Sequence, residues 1–299
     1  MDMEDAVLVH SPDYANWIFD EKHPTQGRRF LHGRNQIMLE GQRRKLKIYE
    51  VEPRAPHTDS LHLVHDMTYV HNVTVRGESS EWDGPRHDLG ELAKLFVGGT
   101  LTALDSLMEG DTKLAIHLPG AKHHAQRDYS SGFCVFNDFA IAATVATNFG
   151  HRVAIFDCDA HHGDGTENLL KSNNDVLTFS VHQWGIFPGT GLLSDFSKKA
   201  FNFPLAANTG DEGLIEATKS FIETAQAHGT TMIFIACGAD GLIGDPLSEL
   251  NYTVDGYSES MSMIREMFPE TPILFGGAGG YLPDTGTPEV WSQAALSLI

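Results

Sequence analysis

Residues 157–164 read Asp-Cys-Asp-Ala-His-His-Gly-Asp and follow directly on Arg-Val-Ala-Ile-Phe, a short apolar run of the kind that forms a buried parallel strand. In an extended segment residues two apart share a face, so Asp157, Asp159 and His161 are expected to converge while Cys158 and Ala160 point away. An imidazole with carboxylates suits Zn²⁺ or Fe²⁺, and a catalytic ion takes three protein ligands and leaves a position for water. A further ligand should come from elsewhere in the chain. The plainer alternative is a solvated loop or a helix N-cap, which draws on the same residue types.

Recurrence argues against that alternative. Three other segments repeat the order of apolar run, glycines, then polar or ionisable residues. Ala115-Ile116-His117-Leu118 leads into Pro-Gly-Ala-Lys-His-His at 119–124, Met232–Ala236 into Cys-Gly-Ala-Asp at 237–240, and 273–275 into Gly-Gly-Ala-Gly-Gly-Tyr at 276–281. Open α/β sheets bind ligands in the loops at the carboxyl ends of their strands, so the four loops are expected to share one site. Asp240 is the expected third metal ligand, although an aspartate at a strand end is also a common turn or cap residue. His123 and His124 can serve as base and acid beside a metal-activated water, with Asp157 or Asp164 orienting and charge-tuning them. Tyr281 follows a glycine-rich turn that lets the backbone bring a phenol into the site; the alternative is a tyrosine packed on the surface.

The elements that position these residues alternate. Val7-Leu8-Val9 reads as a first strand, followed by a long loop-rich segment with His23-Pro24 and basic residues at 28, 29, 43 and 44. Further strands are predicted near 113–118, 152–157, 175–181, 231–236 and 272–275. Helices are predicted at 89–108, where Gly110 stops the run, and near 137–149, 164–171, 213–227, 256–267 and 288–298. This alternation predicts an α/β fold, a mostly parallel sheet with helices on both faces. The coils at 50–60 and 77–88 read as loops rimming the site rather than domain boundaries.

A chain of 299 residues suits one α/β domain with a substantial core, and its 41% hydrophobic content is ordinary. No apolar stretch approaches the roughly 20 residues of a membrane span. The start, Met-Asp-Met-Glu-Asp, lacks the basic and apolar regions of a signal peptide, so a soluble, cytoplasmic protein is expected. Cys134, Cys158 and Cys237 lie in or beside apolar segments without Cys-x-x-Cys spacing, and read as reduced core residues. The formal net charge of −19 argues against direct binding to nucleic acid. It reads as a solvated acidic surface, with attraction of cationic substrates or adaptation to salt as secondary explanations.

Taken in order, several motifs resemble those of the zinc-dependent histone deacetylases and the bacterial acetoin-utilisation-type amidohydrolases that share the arginase/deacetylase fold. They are His-His-Ala at 123–125, Gly-Phe-Cys-Val-Phe-Asn-Asp at 132–138, Asp-Cys-Asp-Ala-His-His-Gly-Asp-Gly-Thr at 157–166, Phe-Pro-Gly-Thr-Gly at 187–191, Gly-Ala-Asp with Gly-Asp-Pro-Leu at 238–247, and Gly-Gly-Tyr at 279–281. Each is weak alone; in this order they are specific. The resemblance implies one three-layer α/β/α catalytic domain over 1–299. It implies Asp159, His161 and Asp240 as zinc ligands and Tyr281 as donor to the scissile amide oxygen. His123 and His124 become the paired histidines, backed by Asp157 and Asp164, with His124 the proton shuttle. Gly132, Phe133 and Phe187 line an acyl-lysine tunnel, and a K⁺ is implied near Asp157, Asp159, His161, Ser180 and Val181. The implied reaction is hydrolysis of an acetyl or other short acyl amide by metal-activated water.

Departures from the family pattern bear on substrate choice. Lys122 stands where relatives have Gly or Leu and is expected to place a flexible cation near the mouth. Ala239 stands where Phe is common, so packing beside Asp240 is expected to differ. Glu78 or Glu81 is the candidate for a rim carboxylate that holds the substrate backbone. The resemblance further implies that polyamine deacetylases carry a gatekeeping glutamate after Gly-Asp-Pro. Leu247 stands there in this chain, an apolar mouth that favours acetyl-lysine over acetylpolyamines, the alternative substrates. The two-metal motifs of an arginase-like ureohydrolase are absent from the sequence. A catalytically dead binding module would have lost a ligand or the tyrosine, and neither is lost.

Overall fold

The computed structural model describes residues 4–299. Eight strands, β1 (Ala6–Val9), β2 (Ile48–Val51), β3 (Leu114–His117), β4 (Val153–Asp157), β5 (Val176–Gln183), β6 (Ala200–Leu205), β7 (Met232–Ala236) and β8 (Ile273–Gly276), form one sheet. Their order is β2-β1-β3-β8-β7-β4-β5-β6, and every pairing is parallel. Strands β1, β3, β4, β7 and β8 are buried at every residue, as befits near-continuous apolar runs covered on both faces. The outer strands β2 and β6 are only partly buried, and Pro204 is tolerated in β6 because that strand is an edge.

The helices are α1 (Arg28–Arg44), α2 (Thr58–Leu61), α3 (Met67–His71), α4 (His87–Met108), α5 (Asp138–Asn148), α6 (Asp164–Leu170), α7 (Asp211–His228), α8 (Val254–Met267) and α9 (Gly286–Leu296). Helices α1, α9, α8 and α7 pack in succession as one layer and α4, α5 and α6 as another, giving three layers with the sheet between. Among the described residues no helix is long and apolar enough to cross a membrane. The three cysteines are free and buried.

The strands and helices predicted from periodicity all form, within a few residues at their ends. Five elements differ from expectation: α1 occupies part of the segment read as loop-rich, and the short helices α2 and α3 and the strands β2 and β6 were not foreseen. In α1, Gly33 and Gly41 lower the intrinsic helix preference. A Cβ at Gly33 would collide with Leu118 and Trp291, and one at Gly41 with Ile48, so the glycines serve close packing of the helix. Residues that weaken the helix locally thus let it dock.

The carboxyl ends of β3, β8, β7 and β4 lie side by side at the middle of the sheet. The four loops singled out in the sequence leave from these ends.

Candidate active site

The loop after β4 begins with Asp157, but the strand stops there and the alternation of an extended chain stops with it. Asp157 therefore does not join Asp159 and His161 as the two-residue spacing suggested. Its Oδ2 lies 2.7 Å from Nδ1 of His123, and its Oδ1 accepts from the Asp159 N–H at 3.2 Å. Asp159, His161 and Asp240 do converge, with one ligand atom from each lying within 4.8 Å of the others. Nδ1 of His161 sits 3.1 Å from Asp159 Oδ1 and 2.9 Å from Asp240 Oδ2.

Backbone groups fix both carboxylates. Asp159 accepts from the N–H of His161 at 2.9 Å and of Gly279 at 2.7 Å, and Asp240 from that of Ala160 at 2.9 Å. Gly238 and Gly279 press so closely on these carboxylates that a Cβ at either position would overlap them. The donor set fits a divalent cation: one imidazole nitrogen faces two buried carboxylates and, when neutral, can donate to only one of them.

His123 and His124 leave the loop after β3 with ring centroids 4.0 Å apart. Each is held through Nδ1 by its own carboxylate at 2.7 Å, Asp157 for His123 and Asp164 for His124. Gln126 in turn donates to Asp164 at 2.8 Å. Burial opposes charge on both rings. At His123 the attraction of Asp157 and Asp159 outweighs it and the pKa rises to about 9. At His124 burial and then the His123 charge prevail, and the pKa falls to about 3. The two adjacent imidazoles are thus electrostatically different.

A tunnel of about 390 Å³ opens onto this centre, with Glu81, His124, Gly132, Phe133, His161, Ile186, Phe187, Leu247 and Tyr281 in its wall. Phe187 stands 4.9 Å from the His124 ring centroid and Phe133 6.1 Å from that of Tyr281. Ser180 lies beside β4, paired with Asp157, and its hydroxyl meets Nδ1 of His182 at 2.9 Å; Val181 is buried next to it in β5. The rim carboxylate resolves to Glu81, whose Oε2 accepts from the Phe133 N–H at 3.0 Å, whereas Glu78 is exposed and absent from the wall. The mouth is therefore not wholly apolar, as Leu247 alone had suggested. Burial pushes the Glu81 pKa up, the Phe133 hydrogen bond opposing it.

Lys122 is not near the mouth. It is buried behind the histidine pair, beside Arg29, because its backbone N–H and that of Ala121 are clamped by Asp138 at 2.8 and 3.0 Å. Ala239 is buried, and its methyl group faces Gly280.

Several residues of this site carried no role in the sequence reading, Gln126 and Ile186 among them. Asp138 was visible only as the end of the 132–138 motif. Asp245, inside Gly-Asp-Pro, accepts from the backbone N–H of Leu247 at 3.0 Å and of Tyr281 at 2.7 Å, tying the gate to the backbone that carries the phenol. Burial, then repulsion from Asp240, raises its pKa to about 7. Arg29, far from Tyr281 in sequence, had no local signal.

A family model of the histone deacetylase domain matches residues 23–298. The acetoin utilization protein AcuC of Bacillus subtilis is 31% identical over 99% of this chain and 82% of its own length. Histone deacetylase 8 of Xenopus tropicalis is 29% identical over 95% of this chain and 82% of its own. Among solved structures, the HD domain of HDA15 superposes with a TM-score of 0.87 at 24% identity, covering 99% of this chain and 88% of that one.

Proposed function

We propose that this chain, which belongs to the histone deacetylase family and is a deacetylase hydrolase, removes acetyl or other short acyl groups from lysine-like amines with the help of Zn²⁺. The observation that carries this reading is the convergence of Asp159, His161 and Asp240 at the end of a tunnel shared with His124 and Tyr281. Those three residues would hold the metal, with Fe²⁺ as the other ion the donor set suits. When bound, such an ion polarises a carbonyl and makes water a stronger acid.

The side chains then have distinct tasks. Nε2 of His124 receives the proton of the attacking water, because Nδ1 is engaged by Asp164. Asp157 stabilises the protonated form of His123, which supplies positive charge beside the reacting carbonyl, and His124 returns its proton to the leaving amine. The Tyr281 phenol donates to the oxyanion. Phe133 and Phe187 hold the extended chain, Gly132 leaves room between them, and Leu247 closes the mouth. One catalytic unit spans 1–299, built on the single sheet.

The same reading puts a K⁺ near Asp157, Asp159, His161, Ser180 and Val181, and a void of about 10 Å³ touching Asp157 and Ser180 supports a small guest there. Three free cysteines suit the reducing cytoplasm. Acetylpolyamines are the second reading, favoured by Glu81 in the tunnel wall. One of its oxygens is committed to the Phe133 N–H, and the other suits a peptide N–H.

Turnover of acetyl-lysine peptides, longer acyl-lysines and acetylpolyamines, with and without added Zn²⁺ and at low and moderate salt, tests the reading. Peptides should be preferred at both salt levels. Polyamines remaining the better substrates at moderate salt, where attraction to the acidic surface is screened beyond about 8 Å, would replace it with the second reading.

A further inference from the structure

The two carboxylates behind the histidine pair are completed in different ways. Asp157 gives Oδ2 to His123 and Oδ1 to the backbone N–H of Asp159 at 3.2 Å. Asp164 gives Oδ1 to Nδ1 of His124, and its Oδ2 accepts from the side-chain amide of Gln126 at 2.8 Å. A backbone donor is present whatever side chain stands at 159, whereas the donor at 126 exists only because that residue is a glutamine. Gln126 is 6% exposed, so contact with water does not account for an amide there.

Both polar atoms of that amide are engaged. Nε2 donates to Asp164 and, at 3.3 Å, to the carbonyl of His124, while Oε1 accepts from Nδ2 of Asn168 at 3.2 Å. An ionised carboxylate only accepts, so the atom facing Asp164 is the nitrogen. The backbone of Gln126 is pinned from the other side: its N–H donates to the carbonyl of Tyr129 at 3.0 Å, and its own carbonyl meets Nδ1 of His65 at 2.9 Å. Nε2 of His65 accepts the N–H of Asn137 at 2.9 Å, which requires a lone pair there, so His65 carries its proton on Nδ1 and donates to Gln126. Burial keeps this ring neutral, its pKa lowered to about 4. Donors thus converge on Asp164 from two sides, Gln126 on Oδ2 and His124 on Oδ1, and the carboxylate cannot turn without losing one of them.

We propose that Gln126 is a positioning residue for His124, acting through Asp164 to keep the ring proton on Nδ1 and Nε2 bare toward the tunnel, with His65 fixing Gln126 for that task. The task of His124 rests on the deacylase reading. An imidazole that takes a proton from water must present an unprotonated nitrogen to it, and a carboxylate that swings away lets the ring turn or adopt the other tautomer. Neither Gln126 nor His65 stands in the tunnel wall. Their effect should therefore fall on the rate of the chemical step and not on the affinity for substrate.

The test compares the zinc-loaded wild type with Gln126→Met, Gln126→Glu and Gln126→Lys on an acetyl-lysine peptide, and reads the ring nitrogens of His124 by NMR in the same proteins. Methionine fills the space without a donor, glutamate keeps the shape with an oxygen in the donor's place, and lysine restores a donor. Gln126→Met and Gln126→Glu should each lower kcat by about 10–100-fold with KM and bound zinc little changed, and the Nδ1–H signal of His124 should weaken. Gln126→Lys should recover most of that loss. Wild-type kcat in the two variants without a donor overturns the proposal. An equal loss in all three also overturns it, because the residue would then matter for its packing alone. If the wild type turns over no acyl-lysine peptide, the deacylase reading falls and the NMR signal decides the positioning role by itself: an Nδ1–H that depends on the donor at 126 supports it, and one that does not sinks it.

Discussion

The tunnel in front of the histidine pair and a small cavity behind it share four wall residues yet differ in chemistry. In front, Phe133, Phe187, Ile186 and Leu247 form an apolar passage relieved by one carboxylate, Glu81. Behind, Arg29 and Lys122 bring two cations into a far smaller space. The difference teaches that one centre can face two unlike surroundings. Shape and desolvation dominate the tunnel, where an ammonium would have to give up water, and charge dominates the cavity behind it. A change in one should then leave the character of the other in place.

The harshest way to test that comparison is to remove the centre both regions serve. Asp240→Ala should lose bound metal and reduce turnover of every substrate by more than the roughly 10–100-fold typical of outer-shell changes, with the fold retained. Metal analysis with a peptide and a polyamine substrate reads this directly. Full metal occupancy with wild-type turnover removes Asp240 from the site.

Tyr281→Phe should be next in size, lowering kcat by about 10²-fold on both substrate classes with KM and metal content little changed. A near-normal kcat would make the phenol structural. In the tunnel alone, Leu247→Glu should raise kcat/KM for acetylpolyamines relative to acetyl-lysine by about tenfold, through a new counter-charge at the mouth. An unchanged ratio would show that Glu81, not the gate, sets this preference.

The smallest effect is on stability and belongs to the cavity. Burial, then repulsion from Arg29, lowers the Lys122 pKa from 10.5 to about 8. Between those values the unfolded chain binds more protons than the folded one, so the wild type gains stability as pH rises through the window. Lys122→Met should therefore be more stable by roughly 1–3 kcal/mol below pH 8, and the advantage should vanish by about pH 10.5. Thermal melts of both proteins across that range check the sign.

Which residues were legible in the sequence follows from how local their determinants are. Asp159, His161, Asp240 and the histidine pair stand beside apolar strand runs, and a strand end fixes where its loop emerges. Asp157 does stand behind His123, but its expected convergence with Asp159 and His161 fails because alternation holds only while the chain stays extended, and β4 ends at that residue. The position of Lys122 depends on Asp138, sixteen residues later, gripping its backbone. Arg29 depends on α1, a helix whose two glycines hide it from propensity and whose fit against Trp291 and Ile48 appears only in three dimensions. Glu81 could be chosen over Glu78 only once Phe133 was placed, since its loop has no periodicity to align.

The position of β8 sets when such a protein can work at all. That strand lies between β3 and β7, so the sheet is closed in its middle by the last strand to be made. Until residues 273–276 leave the ribosome, β3 and β7 each present an apolar, unpaired edge, the kind of surface that joins other chains. Pairing β8 with β3 also closes a loop of more than 150 residues, a slow event in a parallel sheet. Only afterwards do Gly279 and Tyr281 come to rest beside Asp159 and Asp245. A nascent chain should thus be both inactive and vulnerable until β8 has been made, and its yield in cells should depend on how well those edges are shielded meanwhile.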